Sequence, residues 1–171
     1  MTRTEAQTTR ARDAAPSIRW PAGLAPSECI VHTRNELSIA ASPEAVWRVL
    51  IRAAEWSSWY ANCRRLRFEA GGGPDLSAGT RWRWTTFGMR IASTVVEFEP
   101  AERLAWSARA PGSRGHHAWL LTPTATGCHV VTEETQKGWG IRLIRRPLRQ
   151  GLLKQHQIWL EGLRERTCAS E

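Results

Sequence analysis

The sequence predicts an α+β domain in which an antiparallel sheet curls around one long C-terminal helix. Residues 140–167 carry a single apolar stripe at helical spacing, and residues 29–137 alternate between strand patterns and turns, apart from one short helical stretch. Because a helix with one apolar face must bury that face against another element, the sheet is its expected partner. A sheet curled around a terminal helix tends to enclose a hollow, so we expect the function to reside there.

The terminal helix has distinct inner and outer faces. Its apolar stripe comprises Ile144, Leu148, Leu152, Gln155, Trp159 and Leu163, with Leu153, His156 and Leu160 beside it. The opposite side carries Arg142, Arg145, Arg146, Arg149, Lys154 and Glu161. Pro147 lies within this pattern, and since proline cannot donate a backbone hydrogen bond, the helix is expected to kink or to begin there.

The first strand is predicted over residues 29–40, where apolar and polar residues alternate. It ends at Ser42, Pro43 and Glu44, which supply an N-cap, a first-turn proline and an acidic residue near the positive helix end. Residues 45–54 are therefore expected to form a short helix, and residues 55–60 a second helical turn.

A hairpin over residues 80–99 forms the centre of the predicted sheet. With Phe87 and Gly88 as its two-residue turn, both strands agree on one face rich in tryptophan and another rich in arginine. The pairs predicted across it are Trp84 with Ile91, Trp82 with Ser93, and Thr80 with Val95. Further strands are predicted over residues 63–69, 103–110, 116–122 and 128–137. In the strand over 116–122, the alternation does not decide whether His116 or His117 faces inward.

The length and composition indicate one domain. With 171 residues, of which 42% are hydrophobic, the chain can bury a substantial core, and it has no run of ~20 apolar residues that would span a membrane. Residues 1–27 are polar, contain three prolines and lack the apolar segment of a signal peptide. We therefore expect a disordered, dispensable arm over 1–27, a domain over 28–168, and a cytoplasmic protein.

Ten tryptophans and a formal charge of +8 set the composition apart. Tryptophan combines a large apolar surface with one N–H donor, so it lines both cores and binding pockets. The charge favours an acidic partner, which would be a nucleic acid, an anionic membrane surface or an acidic carrier protein. Since no nucleic-acid-binding motif is present, we expect no nucleic-acid partner. The arginines of the terminal helix would dock a carrier protein, or they are simply a solvated face.

Several segments together resemble one protein superfamily. They read ASPEAVW at 41–47, WSSW at 56–59, GTRWRW at 79–84, VVEFEPAERLAW at 95–106 and GCHVVTEE at 127–134. In this order they resemble the polyketide cyclase/dehydrase and lipid-transport branch of the START-related superfamily, also called SRPBCC. The resemblance implies a helix-grip fold: a seven-stranded antiparallel sheet around the terminal helix, two short helices after the first strand, and an apolar cavity. It implies little about the reaction, because the superfamily includes cyclases, aromatases, hydrolases, oxygenase domains and carriers.

The candidate ligand-binding residues are those expected to face the cavity. They are Tyr60, Trp82, Trp84, Ile91, Ser93, Val95, Trp106, Leu120, Leu152, His156 and Trp159. The catalytic candidates are His116, His117, Glu97 and Glu133, because an inward imidazole or an enclosed carboxylate can transfer protons near neutral pH. Core packing of the tryptophans and rim salt bridges of the carboxylates are the alternatives. His156 has no second ligand one turn later, and the four cysteines form no Cys-x-x-Cys pair, so free thiols and no metal or other cofactor are expected.

Three classes of function fit these patterns. A cyclase or dehydratase would fold a polyketide-like or other apolar substrate in the cavity, assisted by one or two acid–base groups. A non-catalytic carrier or sensor would hold a lipid or an aromatic molecule in a purely apolar hollow. A protein-binding module would have a collapsed core and use the basic helix. We favour the first two classes, in both of which the ligand is a small hydrophobic molecule.

Overall fold

The computed structural model describes residues 16–169, and its architecture is the predicted one. The strands are β1 (Val31–Ile39), β2 (Arg64–Phe68), β3 (Arg81–Thr86), β4 (Met89–Glu99), β5 (Arg103–Ala110), β6 (Ser113–Thr124) and β7 (Gly127–Lys137). They form one antiparallel sheet in the order β1-β7-β6-β5-β4-β3-β2. The helices are α1 (Pro43–Ile51), α2 (Trp56–Trp59) and α3 (Trp139–Cys168), with 3-10 turns at Pro26–Glu28 and Ala53–Glu55. Within residues 16–169, no helix combines the length and the apolar character needed to cross a membrane.

The central hairpin has the predicted register. Phe87 and Gly88 form its turn with positive φ angles of 52° and 72°, which matches the twist of the strands that the turn joins. The pairs across it are Trp84 with Ile91, Trp82 with Ser93, and Thr80 with Val95. The local sequence therefore determines which face of β3 and β4 carries the tryptophans. We call this the inner face, because α3 packs on it.

Helix α1 begins as the sequence predicts. Ser42 Oγ accepts a hydrogen bond from Ala45 N at 3.2 Å, and Pro43 occupies the first helical position. The buried residues of this helix are Ala45, Val46, Trp47 and Leu50. They pack against α3 and the sheet, so the short helices close part of the inner face.

Helix α3 bends near its start. Ile144 has non-helical backbone angles (φ −119°, ψ 16°) shortly before Pro147. Because Pro147 has no N–H to donate to the carbonyl of Leu143, the predicted kink occurs, almost one turn ahead of the proline. The bend leaves Ile144 40% exposed, so its assignment to the buried stripe is wrong. Other members of the stripe are buried as predicted, namely Leu148, Leu152, Trp159 and Leu163.

Gly138 joins β7 to α3 at a point of close backbone contact. Its φ is +139°, and a Cβ atom there would lie 2.1 Å from the carbonyl oxygen of Gly112. The same oxygen accepts a hydrogen bond from Gly140 N at 3.1 Å. Only glycine adopts this backbone conformation without strain. The β5–β6 turn and the start of α3 can therefore lie directly against each other.

Residues 16–28 pack against the outer face of the sheet. Arg19 Nη1 donates to Glu97 Oε1 at 2.9 Å, and the Trp20 ring lies 5.6 Å from that of His116. The prediction of a disordered arm over residues 1–27 is therefore wrong for 16–27, and residues 1–15 lie outside the described part of the chain. Sequence patterning missed this contact because the segment is held by ion pairs and one half-buried tryptophan rather than by a periodic apolar face.

Candidate functional site

A continuous cluster of aromatic side chains lies between the inner face and α3. Its members are Trp56, Tyr60, Trp82, Trp84, Trp106, Trp119 and Trp159. Trp159 is central: its ring centroid lies 4.5 Å from that of Tyr60 and 5.0 Å from that of Trp56. Aromatic pairs at such distances add to the stabilisation that burial provides. The tryptophans thus fill much of the hollow themselves.

A cavity of about 30 Å³ remains beside this cluster. It is lined by Tyr60, Trp84, Thr86, Phe87, Met89, Ile91, Trp106, Ala108, Arg109, Ala110, Ser113, Gly115, His117, Glu134, Gln136, His156 and Trp159. A space of this size holds about one or two water molecules. The lining residues that are not fully buried include Phe87 and Met89 in the β3–β4 turn, and Arg109, Ala110 and Ser113 at the β5–β6 turn, so the cavity approaches solvent between these two turns.

Three ionisable side chains form the polar end of the cavity. Glu134 of β7 lies opposite His117 of β6 in the sheet register, and His156 reaches the same carboxylate from α3. Glu134 Oε2 is 3.1 Å from His156 Nε2 and 3.4 Å from His117 Nδ1. Gln136 Nε2 donates to the other carboxylate oxygen. We call His117, Glu134 and His156 the inner cluster; all three are buried.

The two imidazoles of the inner cluster differ in their hydrogen bonding. Burial lowers the pKa of His117 well below its usual value, and the nearby His156 and His116 lower it further. His117 Nε2 is 2.7 Å from the Thr132 hydroxyl, and a neutral His117 with its proton on Nδ1 accepts a hydrogen bond from that hydroxyl. His156 Nδ1, by contrast, is buried without a hydrogen-bond partner among the described residues. The cluster therefore combines a carboxylate with two inequivalent imidazoles, an arrangement suited to proton transfer.

The predicted ligand-binding residues other than Leu120 divide into two groups. Those that line the cavity are Tyr60, Trp84, Ile91, Trp106, His156 and Trp159. Trp82 and Val95 are buried in the main core, and Leu152 belongs to a second apolar cluster with Val31 and Ile141. Ser93 Oγ accepts a hydrogen bond from the indole N–H of Trp84 at 3.1 Å. These four residues support the lining rather than form it.

Strand β6 has the orientation that the sequence left open. Its inward residues are His117, Trp119 and Leu121, and its outward residues are His116, Ala118 and Leu120. The cavity candidate is therefore His117 rather than His116, and the expected position of Leu120 at the cavity is wrong. Trp20 packs on His116 from outside, and burial lowers the pKa of His116 to about 4.

Both predicted catalytic carboxylates lie away from the cavity. Glu133 Oε2 is 2.6 Å from His32 Nε2, and Glu97 Oε1 is 2.9 Å from Arg19 Nη1. They form salt bridges, as the alternative interpretation expected, but with Arg19 and Arg34 rather than with Arg81 or Arg103, so their placement in the cavity is wrong. The inward carboxylate is Glu134, one residue later. Because neighbouring residues of a strand face opposite sides, pairing β7 with the inward histidine of β6 would have identified it.

A row of basic residues crosses the outer face of the sheet. The register pairs Arg67 with Arg83, Arg83 with Ala92, Ala92 with Arg109, Arg109 with Arg114, and Arg114 with Lys137. In the described part of the chain, Arg83 is the member of this row that forms an ion pair, with Glu69 at 3.2 Å. Like charges directly opposite each other on neighbouring strands are destabilising. This outer basic row is thus a positive surface in addition to the helix arginines, and the arginine-rich face of the hairpin is the part of it that the sequence predicts.

Comparison with known protein families assigns the chain. The family model described as "Polyketide cyclase / dehydrase and lipid transport" matches residues 31–165. The chain belongs to this family. The match extends from β1 almost to the end of α3, so it includes the whole sheet and the cavity, and the resemblance noted from the sequence is confirmed. No curated protein matches this polyketide cyclase/dehydrase family member.

Solved structures share the fold of this family member. The hypothetical protein jhp0584 from Helicobacter pylori is 27% identical with a TM-score of 0.82, and the match covers 90% of this chain and 98% of that one. TTHA0849 from Thermus thermophilus is 23% identical with a TM-score of 0.67, covering 82% and 99%. StfQ, a di-domain ARO/CYC from the steffimycin biosynthetic pathway, is 17% identical with a TM-score of 0.66, covering 79% and 49%. The predicted helix-grip fold is confirmed.

Proposed function

We propose that the protein binds a small, flat, mainly apolar molecule in its cavity and catalyses a cyclisation or dehydration there. The observation that carries this proposal is a carboxylate held between two buried imidazoles in a cavity with otherwise largely aromatic and aliphatic walls. Aromatic walls stack on flat rings, and adjacent acid and base groups move the protons that both reactions require. Membership of the polyketide cyclase/dehydrase and lipid-transport family supports the same class of ligand.

The inner cluster supplies a base and an acid for a dehydration. Glu134 takes a proton from the carbon next to a substrate carbonyl, and protonated His156 gives its proton to the hydroxyl that leaves as water. A carbon–carbon double bond forms as the C–H and C–O bonds break. The proton then returns from Glu134 to His156 across the 3.1 Å contact between Oε2 and Nε2, which restores both groups. The surrounding tryptophans exclude bulk water from these steps.

Binding of an organic ligand requires the cavity to widen. Its volume of about 30 Å³ is far below the space that a polyketide ring occupies. Phe87 lies close to Gly151 of α3, where a Cβ atom would be 3.4 Å from the Phe87 ring. This contact closes the partly buried β3–β4 turn over the cavity. We expect that turn to move away from α3 when the ligand enters.

Glu134→Gln is expected to retain ligand binding within about threefold and to lower turnover by about 10²–10⁴-fold, because the amide keeps the shape of the carboxyl group but is not a base. Native mass spectrometry of the purified protein identifies a bound molecule. Quenching of tryptophan fluorescence then measures its affinity, and product analysis measures turnover.

The adjacent substitution Glu133→Gln is the matched control, since Glu133 lies on the outer face against His32. It is expected to change neither binding nor turnover. Full turnover by Glu134→Gln would contradict the assigned base.

A non-catalytic carrier is the second candidate function. One observation favours it: the Glu134 carboxylate already has His156 and Gln136 as hydrogen-bonding partners, with His117 Nδ1 3.4 Å away, which is also what a purely structural buried carboxylate requires. Equal binding by the wild type and Glu134→Gln, with no chemical change in the bound molecule, would establish this function in place of catalysis.

We further propose that an acidic carrier protein delivers the substrate to the start of α3. Arg142, Arg145, Arg146 and Arg149 are exposed there. The helix begins against Gly112, next to Ser113 of the cavity lining, so a partner on these arginines would lie near the cavity. Complementary charge steers such encounters and loses effect as salt rises.

Changing Arg145, Arg146 and Arg149 together to glutamate is expected to lower the rate with a carrier-linked substrate by about tenfold or more at low salt, and to leave the rate with the free small molecule unchanged. The matched control changes Arg67, Arg83 and Arg114 of the outer basic row to glutamate, since none of these residues lines the cavity. If only the control lowers the rate with the carrier-linked substrate, the docking site lies on the sheet and not on α3. Equal loss on both substrates would indicate damage to the helix, and no loss in either variant would mean that both sets are solvated.

A further inference from the structure

The inner cluster has the composition of a metal-binding site. Its donor atoms are His117 Nδ1, Glu134 Oε2 and His156 Nε2, and all three lie within 4.8 Å of one another. Two imidazoles and one carboxylate are ligands that zinc and other first-row divalent ions accept. The three residues come from β6, β7 and α3, so no sequence motif of fixed spacing could have shown them. The expectation of no metal rested on the spacing around His156 and among the cysteines, and neither spacing bears on contacts between different elements.

The distances agree with binding of a single small ion. Zinc lies about 2.0–2.1 Å from imidazole nitrogen and about 2.0–2.2 Å from carboxylate oxygen, so two ligands at a tetrahedral angle are about 3.3–3.5 Å apart. Glu134 Oε2 is 3.4 Å from His117 Nδ1 and 3.1 Å from His156 Nε2. The two imidazole nitrogens lie within 4.8 Å of each other, so they would move toward each other by up to about 1.5 Å to share one ion.

The groups behind the donors hold two of them in a binding orientation. His117 Nε2 is 2.7 Å from Thr132 Oγ1, which fixes the imidazole with Nδ1 toward the cluster. Gln136 Nε2 donates to Glu134 Oε1 and leaves Oε2 directed at the two histidines. Such outer hydrogen bonds accompany metal ligands in proteins and set their orientation.

The third donor has an unexplained polar atom. His156 is 1% exposed, and its Nδ1 has no hydrogen-bond partner among the described residues. A buried polar group without a partner costs free energy. The imidazole is therefore positioned through its Nε2, the nitrogen that faces Glu134 Oε2 and would bind the ion.

We propose that His117, Glu134 and His156 bind one divalent transition-metal ion of the zinc class, with a further coordination position open to the cavity. Catalytic zinc sites use three protein ligands and leave a fourth position for water or substrate. The three side chains line the cavity, whose volume of about 30 Å³ has room for that water. When bound, the ion would polarise a substrate carbonyl or acidify the bound water. With the ion bound, Glu134 Oε2 and His156 Nε2 are its ligands, so the dehydration proposed above would be carried out by the ion-free protein, and the metal site does not depend on that reaction.

The test is a titration of untagged protein. After treatment with a chelator and removal of the chelator, the wild type is expected to bind one Zn²⁺ per chain with micromolar or tighter affinity, as native mass spectrometry and isothermal titration calorimetry would show, and its Tm should rise. Co²⁺ should give the intense visible absorption of a four- or five-coordinate site. Blocking the thiols first with iodoacetamide excludes binding by the free cysteines Cys29 and Cys168, which are not buried.

Matched substitutions locate the ion. Glu134→Gln and His156→Gln are each expected to weaken Zn²⁺ binding by more than about 100-fold. Their neighbours on the outer face, Glu133→Gln and His116→Gln, should leave it unchanged. The proposal is overturned if the wild type shows no saturable binding up to millimolar Zn²⁺, if Co²⁺ gives only the weak spectrum of a six-coordinate ion, or if either inner substitution leaves the affinity intact. The cobalt spectrum of the wild type decides the matter even where a variant fails to fold.

Discussion

Replacing Trp159 by alanine is expected to lower the free energy of unfolding by about 3–5 kcal/mol. The side chain is 1% exposed and lies at the centre of the aromatic cluster, with ring contacts to Tyr60 at 4.5 Å and to Trp119 at 5.2 Å. Removing it deletes the apolar surface that joins α3 to the sheet and leaves a cavity that rigid neighbouring rings cannot fill. Urea denaturation followed by far-UV circular dichroism measures the change.

Trp139 provides a matched control on the same helix. It is 72% exposed, so Trp139→Ala removes an equally large side chain from a position where little surface is buried. We expect a change within about 0.5 kcal/mol for this variant. A similar loss of stability in both variants would mean that tryptophan content, rather than the packing of the cluster, determines the result.

Gly138→Ala is expected to lower the free energy of unfolding by roughly 2–6 kcal/mol, because backbone strain of about 1–3 kcal/mol adds to overpacking of about 1–3 kcal/mol. The Cβ atom would lie 2.1 Å from Gly112 O, which is a backbone atom and cannot rotate away. The β5–β6 turn must then separate from the start of α3. Since Ser113 lines the cavity beside that turn, the variant should also bind ligand more weakly.

Gly79→Ala is a control that introduces backbone strain without the steric clash expected for Gly138→Ala. Gly79 also has a positive φ, of +75°, but an added Cβ would meet no atom within 4 Å. We expect it to cost only about 1–2 kcal/mol, the penalty for an L-residue in the left-handed region. Equal losses for Gly138→Ala and Gly79→Ala in thermal and urea unfolding would show that the contact with Gly112 is unimportant.

The elements of the fold could be predicted because their signals are local. The turn at Phe87 and Gly88 and the alternation beside it determine the hairpin register, and Ser42 with Pro43 marks the start of α1. Each of these signals acts within a few residues of the structure that it specifies. The terminal helix could likewise be predicted from its apolar stripe at helical spacing. The kink before Pro147 follows from the missing N–H of proline.

The inner cluster could not be predicted because its geometry depends on how distant elements face one another. In β6 and β7, both alternating sets contain apolar and polar residues, so periodicity alone does not separate His116 from His117 or Glu133 from Glu134. The contact between Glu134 and His156 further requires the rotation of α3 about its axis relative to β7. The volume of the cavity could not be predicted either, because tryptophans both line the cavity and fill the space around it.

The arginines of β2 also bear on whether the molecule remains monomeric. β2 is an edge strand of the sheet, and an exposed edge offers unpaired N–H and C=O groups to a strand of another molecule. Its register breaks between Arg64 and Arg67, Arg65 has a φ of +53°, and all three side chains are exposed. An irregular strand of like charge is a poor template for a second copy of itself. The arginines of β2, where the outer basic row ends at Arg67, thus protect this edge from intermolecular pairing and aggregation.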